Sequence, residues 1–491
     1  MADEPREVEL KLVLEPGAAA RLRAHPLLAG VEAQTVEQKS VYFDTRGQAL
    51  RKAGFSLRIR TAGGRRVQTV KATGASAGLF DRPEWEQAVD GDTPALDAIG
   101  RTLLAPLLTA GRARRLVPLV VSQVRRTRWD VDRFAAAIEI ALDEGAVEAA
   151  GRRHGLCELE LELKSGPPQA LFAAGRALAA DLPLRIGVLS KAEQGFALAG
   201  GRLGKVAKAE PVALDASMRV ADAFAAVVAA CLRHFRRNEG LVRDARDPAA
   251  LHQARVAMRR LRAAFSLFAP AMRCEALAPL RAELRWFTAG LGEARNLDVL
   301  LAGAEWTPVD RRKVEAAREE AYDGIAETLD SPRLRLLMID LLAWAETGPW
   351  RARRRARGPF DDFAGRRLDR LWEKVAARGA VLRELGEEER HRLRIDVKKL
   401  RYAVEFAATV YAEPSARKRF RNALEAMQEC LGHLNDIATA RLLHARYGLA
   451  AAPPAADAGA AGAGHLAEAE RAFRQLRRAP PFWRRARDEP A

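Results

Sequence analysis

Over residues 7–12 the chain alternates strictly: Glu7, Glu9 and Lys11 share one parity, Val8, Leu10 and Leu12 the other. Successive side chains of a strand point to opposite faces, so this pattern predicts a strand with one charged and one apolar face. The same grammar returns at Glu158-Leu159-Glu160-Leu161-Glu162-Leu163-Lys164. Between the two, residues 41–44, 55–60, 67–71, 83–89, 117–130 and 134–144 read as further β-rich runs, with Gly54, Gly63-Gly64 and Gly74 as turns. Helical spacing interrupts at about 16–30, 95–113 and 168–182. Antiparallel strands that each carry charge on one face suit a closed barrel, which turns those faces inward around a ligand.

Beyond Gly200-Gly201-Arg202-Leu203-Gly204 and Pro211 the period changes. From about 216 to 446 almost every window repeats at helical spacing, followed by an Ala/Pro/Gly-rich stretch at 451–464 and a last helix at about 465–478. This predicts a strand-rich domain over 1–200, a linker over 201–215 and a helical domain over 216–480. An internal repeat runs through the helices. His252, Arg255, Val256, Arg259, Arg260, Leu261 and Arg262 recur at identical spacing as His391, Arg394, Ile395, Lys398, Lys399, Leu400 and Arg401. Leu291-Gly292, Asn296 and Asp298 find counterparts in Leu431-Gly432, Asn435 and Asp436. Two copies, about 216–340 and 360–480, predict a pseudo-symmetric pair of helical bundles.

Composition sharpens this division. The 491 residues are 48% hydrophobic, enough for more than one core. Residues 1–200 hold 28 Lys+Arg against 25 Asp+Glu; the remainder holds 53 against 39 and so most of the net charge of +17. Such an excess on helices suits a polyanionic partner. Cys157, Cys231, Cys274 and Cys430 are scattered with no C-x-x-C pair, which argues against a disulfide framework or zinc site and for a reducing compartment. The first residues lack the basic start and apolar run of a signal peptide, and no run approaches the roughly 20 apolar residues of a membrane helix. A cytoplasmic protein with no membrane partner is expected.

Candidate chemistry follows the two periods. In the strand-rich part Arg58 and Arg60 share a face, as do Arg126 and Arg128, and Lys71 ends its own strand. Glu84 and Glu86 flank Trp85, and Glu139 and Asp143 precede a turn. Carboxylates hold Mg²⁺ or Mn²⁺ through oxygen while Arg and Lys neutralise phosphate. The competing reading is a salt-bridge lattice with no ligand, which is costly unless fully satisfied. His25 and His154 stand isolated and read as surface residues.

The ordered set Glu7-x-Glu9-x-Lys11, Arg58-x-Arg60, Lys71, Glu84-x-Glu86, Asp143-Glu144-Gly145, Glu158-x-Glu160-x-Glu162-x-Lys164 and Ser190-Lys191 resembles the CYTH family of triphosphate tunnel metalloenzymes. That resemblance covers roughly 1–200 and implies an α+β domain built on an eight-stranded antiparallel tunnel. It implies that Glu7, Glu9, Asp143, Glu160 and Glu162 bind metal, with Glu158 an open alternative. It further implies that Lys11, Arg58, Arg60, Lys71, Lys191 and one or both of Arg126 and Arg128 bind phosphate. Glu7, Glu9, Lys11 and Asp143 are then the catalytic set, and the reaction is Mg²⁺- or Mn²⁺-assisted phosphoanhydride hydrolysis.

In the helical part His252, Arg255, Arg259 and Arg262 fall close to one helical stripe, as do His391, Arg394, Lys398 and Arg401. Taken singly such stripes are solvated faces; duplicated, they suit a groove for a linear polyanion. Over roughly 216–480 the sequence resembles the CHAD family, which implies an all-helical pair of four-helix bundles that binds inorganic polyphosphate through these residues. No helix-turn-helix, RNP or zinc-finger pattern supports sequence-specific nucleic-acid readout. The combined expectation is an inorganic triphosphatase with a polyphosphate-binding domain, associated with polyphosphate granules. Two alternatives stand beside it: hydrolysis of nucleoside or thiamine triphosphate, and non-catalytic polyphosphate binding.

Overall fold

The computed structural model describes residues 6–72, 77–99, 102, 104–303, 306–411, 413–449 and 458–484. The chain forms two compact units. One runs as far as Ala207 and takes in Arg236–Leu241 and Leu329–Thr347; the other holds Lys208–Phe235, Val242–Thr328 and the chain from Gly348 onward.

The first unit is built on strands β1 (Arg6–Leu14), β2 (Gln34–Thr45), β3 (Phe55–Ala62), β4 (Arg65–Ala72), β5 (Leu79–Ala88), β6 (Leu116–Arg133), β7 (Ala136–Ala149), β8 (Arg152–Ser165) and β9 (Leu184–Ile186). They pair in the order β5-β4-β3-β2-β6-β7-β8-β1-β9, and β5 also pairs with β1. Eight antiparallel strands therefore close on themselves. The short β9 continues the edge of β1: Arg6–Leu10 face β5, whereas Leu12–Leu14 face β9. Closure leaves β1 no unpaired edge over its length.

The barrel inverts the usual polarity of a strand protein. Leu10, Leu12, Leu159 and Leu161 are wholly buried on the outer side, under helix α1 (Gln169–Asp181) with its buried Leu171, Phe172 and Leu178. Each such side chain contributes about 1.5–3 kcal/mol by leaving water. The charged parity of the same strands faces the lumen.

One end of the lumen is closed by helix α2 (Lys191–Ala199), whose Ala192 and Phe196 pack on Tyr42, Val120, Val124, Val147 and Leu156. Its start is set by a reciprocal cap. Glu193 N donates to Ser190 Oγ at 3.3 Å, and Ser190 N donates to the Glu193 carboxylate at 2.8 Å. Gly195 permits the approach, since a Cβ there would lie 2.1 Å from Val120 Cγ1.

Two expected helices are broken. Residues 16–30 form short turns around Ala19–Arg23 and Pro26–Leu28, and 95–113 form Leu96–Ile99, Ala105–Leu107 and Ala110–Ala113. Pro26 and Pro106 remove backbone donors within those stretches. His25 is a second correction. It is buried, caps the Pro26 turn by accepting from Leu27 N at 3.1 Å, and lies 3.2 Å from Asp181. His154 is exposed.

The rest of the chain is helical: α3 (Val220–Ala245), α4 (Pro248–Leu267), α5 (Leu277–Gly290), α6 (Gly292–Ala302), α7 (Pro308–Asp330), α8 (Pro332–Thr347), α9 (Phe360–Ala380), α10 (Glu387–Phe406), α11 (Pro414–Tyr447) and α12 (Ala458–Arg478). The repeat maps onto this order, α3 and α4 corresponding to α9 and α10. Leu291-Gly292 breaks the helix that α11 continues unbroken. Aromatic edges lock the core, as in Phe224 against Phe265 at 5.2 Å and Trp350 at 5.4 Å. Asp298 is an internal anchor, accepting from Arg318 Nε at 2.8 Å and Tyr322 Oη at 2.9 Å. The side chains of Asn435 and Asp436 lie outside the described residues.

Candidate functional site

The barrel lumen is a cavity of about 940 Å³ to which all eight closing strands contribute. Its lining carries nine lysines and arginines against eight carboxylates. Those charges fall into three networks, each set by strand register.

The deepest network surrounds Lys191. Its Nζ lies 2.8 Å from Asp143, 2.8 Å from Glu160 and 3.0 Å from Glu158. Arg126, directly opposite Asp143 across β6 and β7, grips it with two bonds of 2.7 and 2.6 Å and also reaches Glu160. Lys11 sits opposite Glu160 across β1 and β8 and bonds to it. Burial works against the ammonium groups of Lys11 and Lys191. The surrounding carboxylates outweigh it and hold both pKa values above the ordinary lysine value. Burial likewise opposes charge on Asp143 and Glu160, yet the cations hold both below the ordinary carboxylate range.

A second network links Lys71 to Glu7 at 2.5 Å and Glu84 at 2.9 Å, with Arg58 3.9 Å from Glu84 and Glu86, and Arg60 3.2 Å from Glu86. The third lies at the open side: Lys164 is 2.7 Å from Glu162 and 3.7 Å from Glu139, and Arg128 is 3.6 Å from Glu139. Arg128 also donates to Gln34 Oε1 at 2.6 Å.

One row of this lattice is badly balanced. Glu162 lies opposite Glu9 on β1 and opposite Glu139 on β7. Like charges directly opposite each other on a sheet are unfavourable. Burial and then Glu160 push the Glu9 carboxyl up, and burial with Glu7 and Glu139 pushes Glu162 up despite Lys164. Carboxylate oxygens are the donor type that hard divalent cations take. Among the described residues no group of three or more His, Cys, Asp or Glu side chains is placed to hold a metal ion.

The helical unit holds a cavity of a different kind, about 1170 Å³. Among the described residues its lining has nine lysines and arginines, four histidines and no carboxylate. Helices α4 and α10 bring His252, Arg255, Arg259 and Arg262 together with His391, Arg394 and Lys398. Burial with Arg259 and Arg295 depresses the Arg255 pKa to about 10, and burial with Arg295, Arg259 and Arg255 lowers that of His252. Arg259 Nε is buried with no hydrogen-bond partner. In the barrel cations are held by carboxylates; here cations crowd one another.

Comparison with known proteins agrees with this division. The CYTH domain model matches residues 5–196 and the CHAD domain model residues 226–445. The chain carries a CYTH domain followed by a CHAD domain. Inorganic triphosphatase of Haemophilus influenzae is 29% identical over 196 residues, which is 39% of this chain and 55% of that protein. The chain thus spans about half the length of this curated relative. Among solved structures, the CHAD domain of Ricinus communis is 31% identical, covering 57% of this chain and 94% of its own with a TM-score of 0.45. HpAC1 of Hippeastrum, described with a dominant triphosphatase activity, is 21% identical, covering 41% and 97% with a TM-score of 0.32.

Within the CYTH domain the structure gathers Glu7, Glu9, Lys11, Arg58, Arg60, Lys71, Arg126, Arg128, Asp143, Glu160, Glu162 and Lys191 around one lumen. Glu158 stays behind the lining. In the CHAD domain Arg401 is outside the cavity lining, bonded to Gln428 at 2.6 Å and stacked 4.2 Å from the Tyr402 ring. Sequence spacing missed Arg65 in the lumen and gave Glu139 and Lys164 no role there; it also missed Arg281, Arg285 and Arg295 in the helical cavity. The last three sit outside the repeated motif, on α5 and α6, and only packing reveals them. Helix α2 was not among the expected helices, although Ser190-Lys-Ala-Glu193 is a capping-box pattern that signals its start.

Proposed function

We propose that this chain hydrolyses inorganic triphosphate in the CYTH tunnel with Mg²⁺ or Mn²⁺, while the CHAD cavity binds linear inorganic polyphosphate. The lumen's charge count carries the first part. Among the described lining residues, nine cations stand against eight carboxylates, a near balance that leaves little charge to neutralise a triphosphate. Divalent cations would accompany the polyanion here, and Glu9 and Glu162, with Glu7, Asp143 and Glu160 nearby, would hold them.

When bound, the metal neutralises phosphate charge and lowers the pKa of a coordinated water. Lys11, Lys191 and Arg126 grip one stretch of the phosphate chain, and Arg58, Arg60 and Lys71 grip it from β3 and β4. Their positions are set by carboxylates beforehand, so little reorganisation is needed when charge develops on the leaving phosphate. Tyr42 is the sole aromatic among the described lining residues, so the tunnel offers little on which a nucleobase or thiazole ring could stack. That favours a bare phosphate chain over nucleoside or thiamine triphosphate.

The CHAD part rests on a cavity whose described lining has nine lysines and arginines and no carboxylate. Electrostatic binding of this kind carries no sequence readout. We further propose residues 201–215 as the linker between domains, and a cytoplasmic protein associated with polyphosphate granules. No helix among the described residues is long and apolar enough to cross a membrane.

The test is phosphate release from tripolyphosphate, ATP and thiamine triphosphate by the purified chain, with Mg²⁺, Mn²⁺ or chelator. Expected is the highest kcat/KM on tripolyphosphate and loss of activity in chelator. Full activity in chelator sinks the metal-assisted reading.

A further inference from the structure

Glu158, Glu160 and Glu162 share one parity of β8 but meet different surroundings. Glu160 and Glu162 line the cavity; Glu158 does not, and its side chain is only 2% exposed. Its Oε2 lies 3.0 Å from Lys191 Nζ and 3.4 Å from Lys11 Nζ, and its Oε1 accepts from Gln194 Nε2 at 2.5 Å. Gln194 is buried on α2, and its Nε2 also reaches Leu189 O at 3.4 Å. Both oxygens of Glu158 are therefore committed.

We propose that Glu158 is a positioning residue: from behind the tunnel wall it holds the Lys11 and Lys191 ammonium groups toward the phosphate chain, Gln194 locks it, and it ligates no metal. The proposal rests on the triphosphatase reading of the same site. A lysine is a compact charge on a flexible stem, so its direction must be imposed by neighbours. Asp143 contacts Lys191, and Glu160 contacts both lysines, but these two carboxylates face the lumen, where a metal would compete for their oxygens. Once Glu160 turns to a cation, Glu158 is the carboxylate that still binds both lysines. Gly187 supports the arrangement. A Cβ there would lie 2.6 Å from Lys11 Cγ, so glycine leaves room for the lysine stem.

The experiment compares Glu158→Gln, Gln194→Ala and Glu160→Gln in the full chain. Tripolyphosphate is varied at saturating Mg²⁺, then Mg²⁺ at saturating tripolyphosphate. Calorimetry measures tripolyphosphate binding separately. Glu158→Gln should raise KM roughly tenfold, the scale at which supporting residues act. Its kcat and half-saturating Mg²⁺ should stay near wild type. Gln194→Ala should move KM the same way by less, and Glu160→Gln should raise the Mg²⁺ requirement. A raised Mg²⁺ requirement in Glu158→Gln makes it a ligand and overturns the proposal, as does an unchanged KM. Should Glu158→Gln fail to fold, Gln194→Ala decides by the same KM criterion. If the wild-type chain turns over no tripolyphosphate, the triphosphatase reading fails. Weaker tripolyphosphate binding by Glu158→Gln would still support positioning, and unchanged binding would overturn it.

Discussion

Glu9 and Lys11 sit two residues apart on β1 and answer burial in opposite ways. Lys11 is surrounded by carboxylates and stays charged, whereas Glu9 faces Glu162 and is pushed toward its neutral form. The strand alternation made both residues legible; which of them is raised and which is held charged depended on what the neighbouring strands place around them. Glu9→Ala should reduce kcat/KM on tripolyphosphate by roughly a hundredfold or more, because a ligand matters at least as much as its supporting residues. Thermal unfolding measured alongside should show the fold intact. His252 allows a pH prediction. Burial and its arginine neighbours hold it below the ordinary 6.5. As pH falls through that value the unfolded chain binds a proton that the folded cavity resists, so His252 has no effect on stability above the window and opposes folding below it. A bound polyanion reverses the local field. Polyphosphate affinity should therefore rise as pH falls from about 7.5 to 6, with proton uptake measurable by calorimetry in buffers of different ionisation enthalpy.

At the scale of elements, the strands were the most legible feature, because a period of two survives whatever the barrel does around it. Helices 16–30 and 95–113 were not, since Pro26 and Pro106 act locally on a pattern that spacing alone reads as continuous. Helix α2 and β9 are short, and their existence depends on the barrel they cover. Gly195 marks that dependence. Gly195→Ala would place a methyl 2.1 Å from Val120 Cγ1, on a branched side chain already packed against Phe196. Overpacking of this kind costs about 1–3 kcal/mol. A lowered midpoint in chemical denaturation is the expected result, and an unchanged midpoint would show that the helix can shift at no cost.

At the scale of the whole molecule, the two cavities treat charge differently. The described tunnel lining nearly balances its charges, whereas the described lining of the CHAD cavity is cationic. Binding of long polyphosphate to the CHAD cavity should fall steeply with salt. The double variant Arg255→Ala, Arg394→Ala should weaken it and flatten the plot of log K against log salt by about one to two. An unchanged slope would place the polyanion elsewhere.

The sequence by itself determined the strand and helix periods, the internal repeat and the residue types of both charged surfaces, because these follow from spacing along one chain. It named most of the lumen in that way, since period-two alternation puts every second residue of a barrel strand inside. Only the tertiary structure decided how the named residues divide their work. Glu158, Glu160 and Glu162 are identical in parity, yet α2 buries the first behind the wall and leaves the other two in the lumen. Arg401 repeats Arg262 in spacing, yet Gln428 and Tyr402 hold it away from the cavity lining that Arg281, Arg285 and Arg295 enter from other helices. Depth along a strand and the neighbour across a bundle are distances between segments far apart in sequence, and no local pattern encodes them.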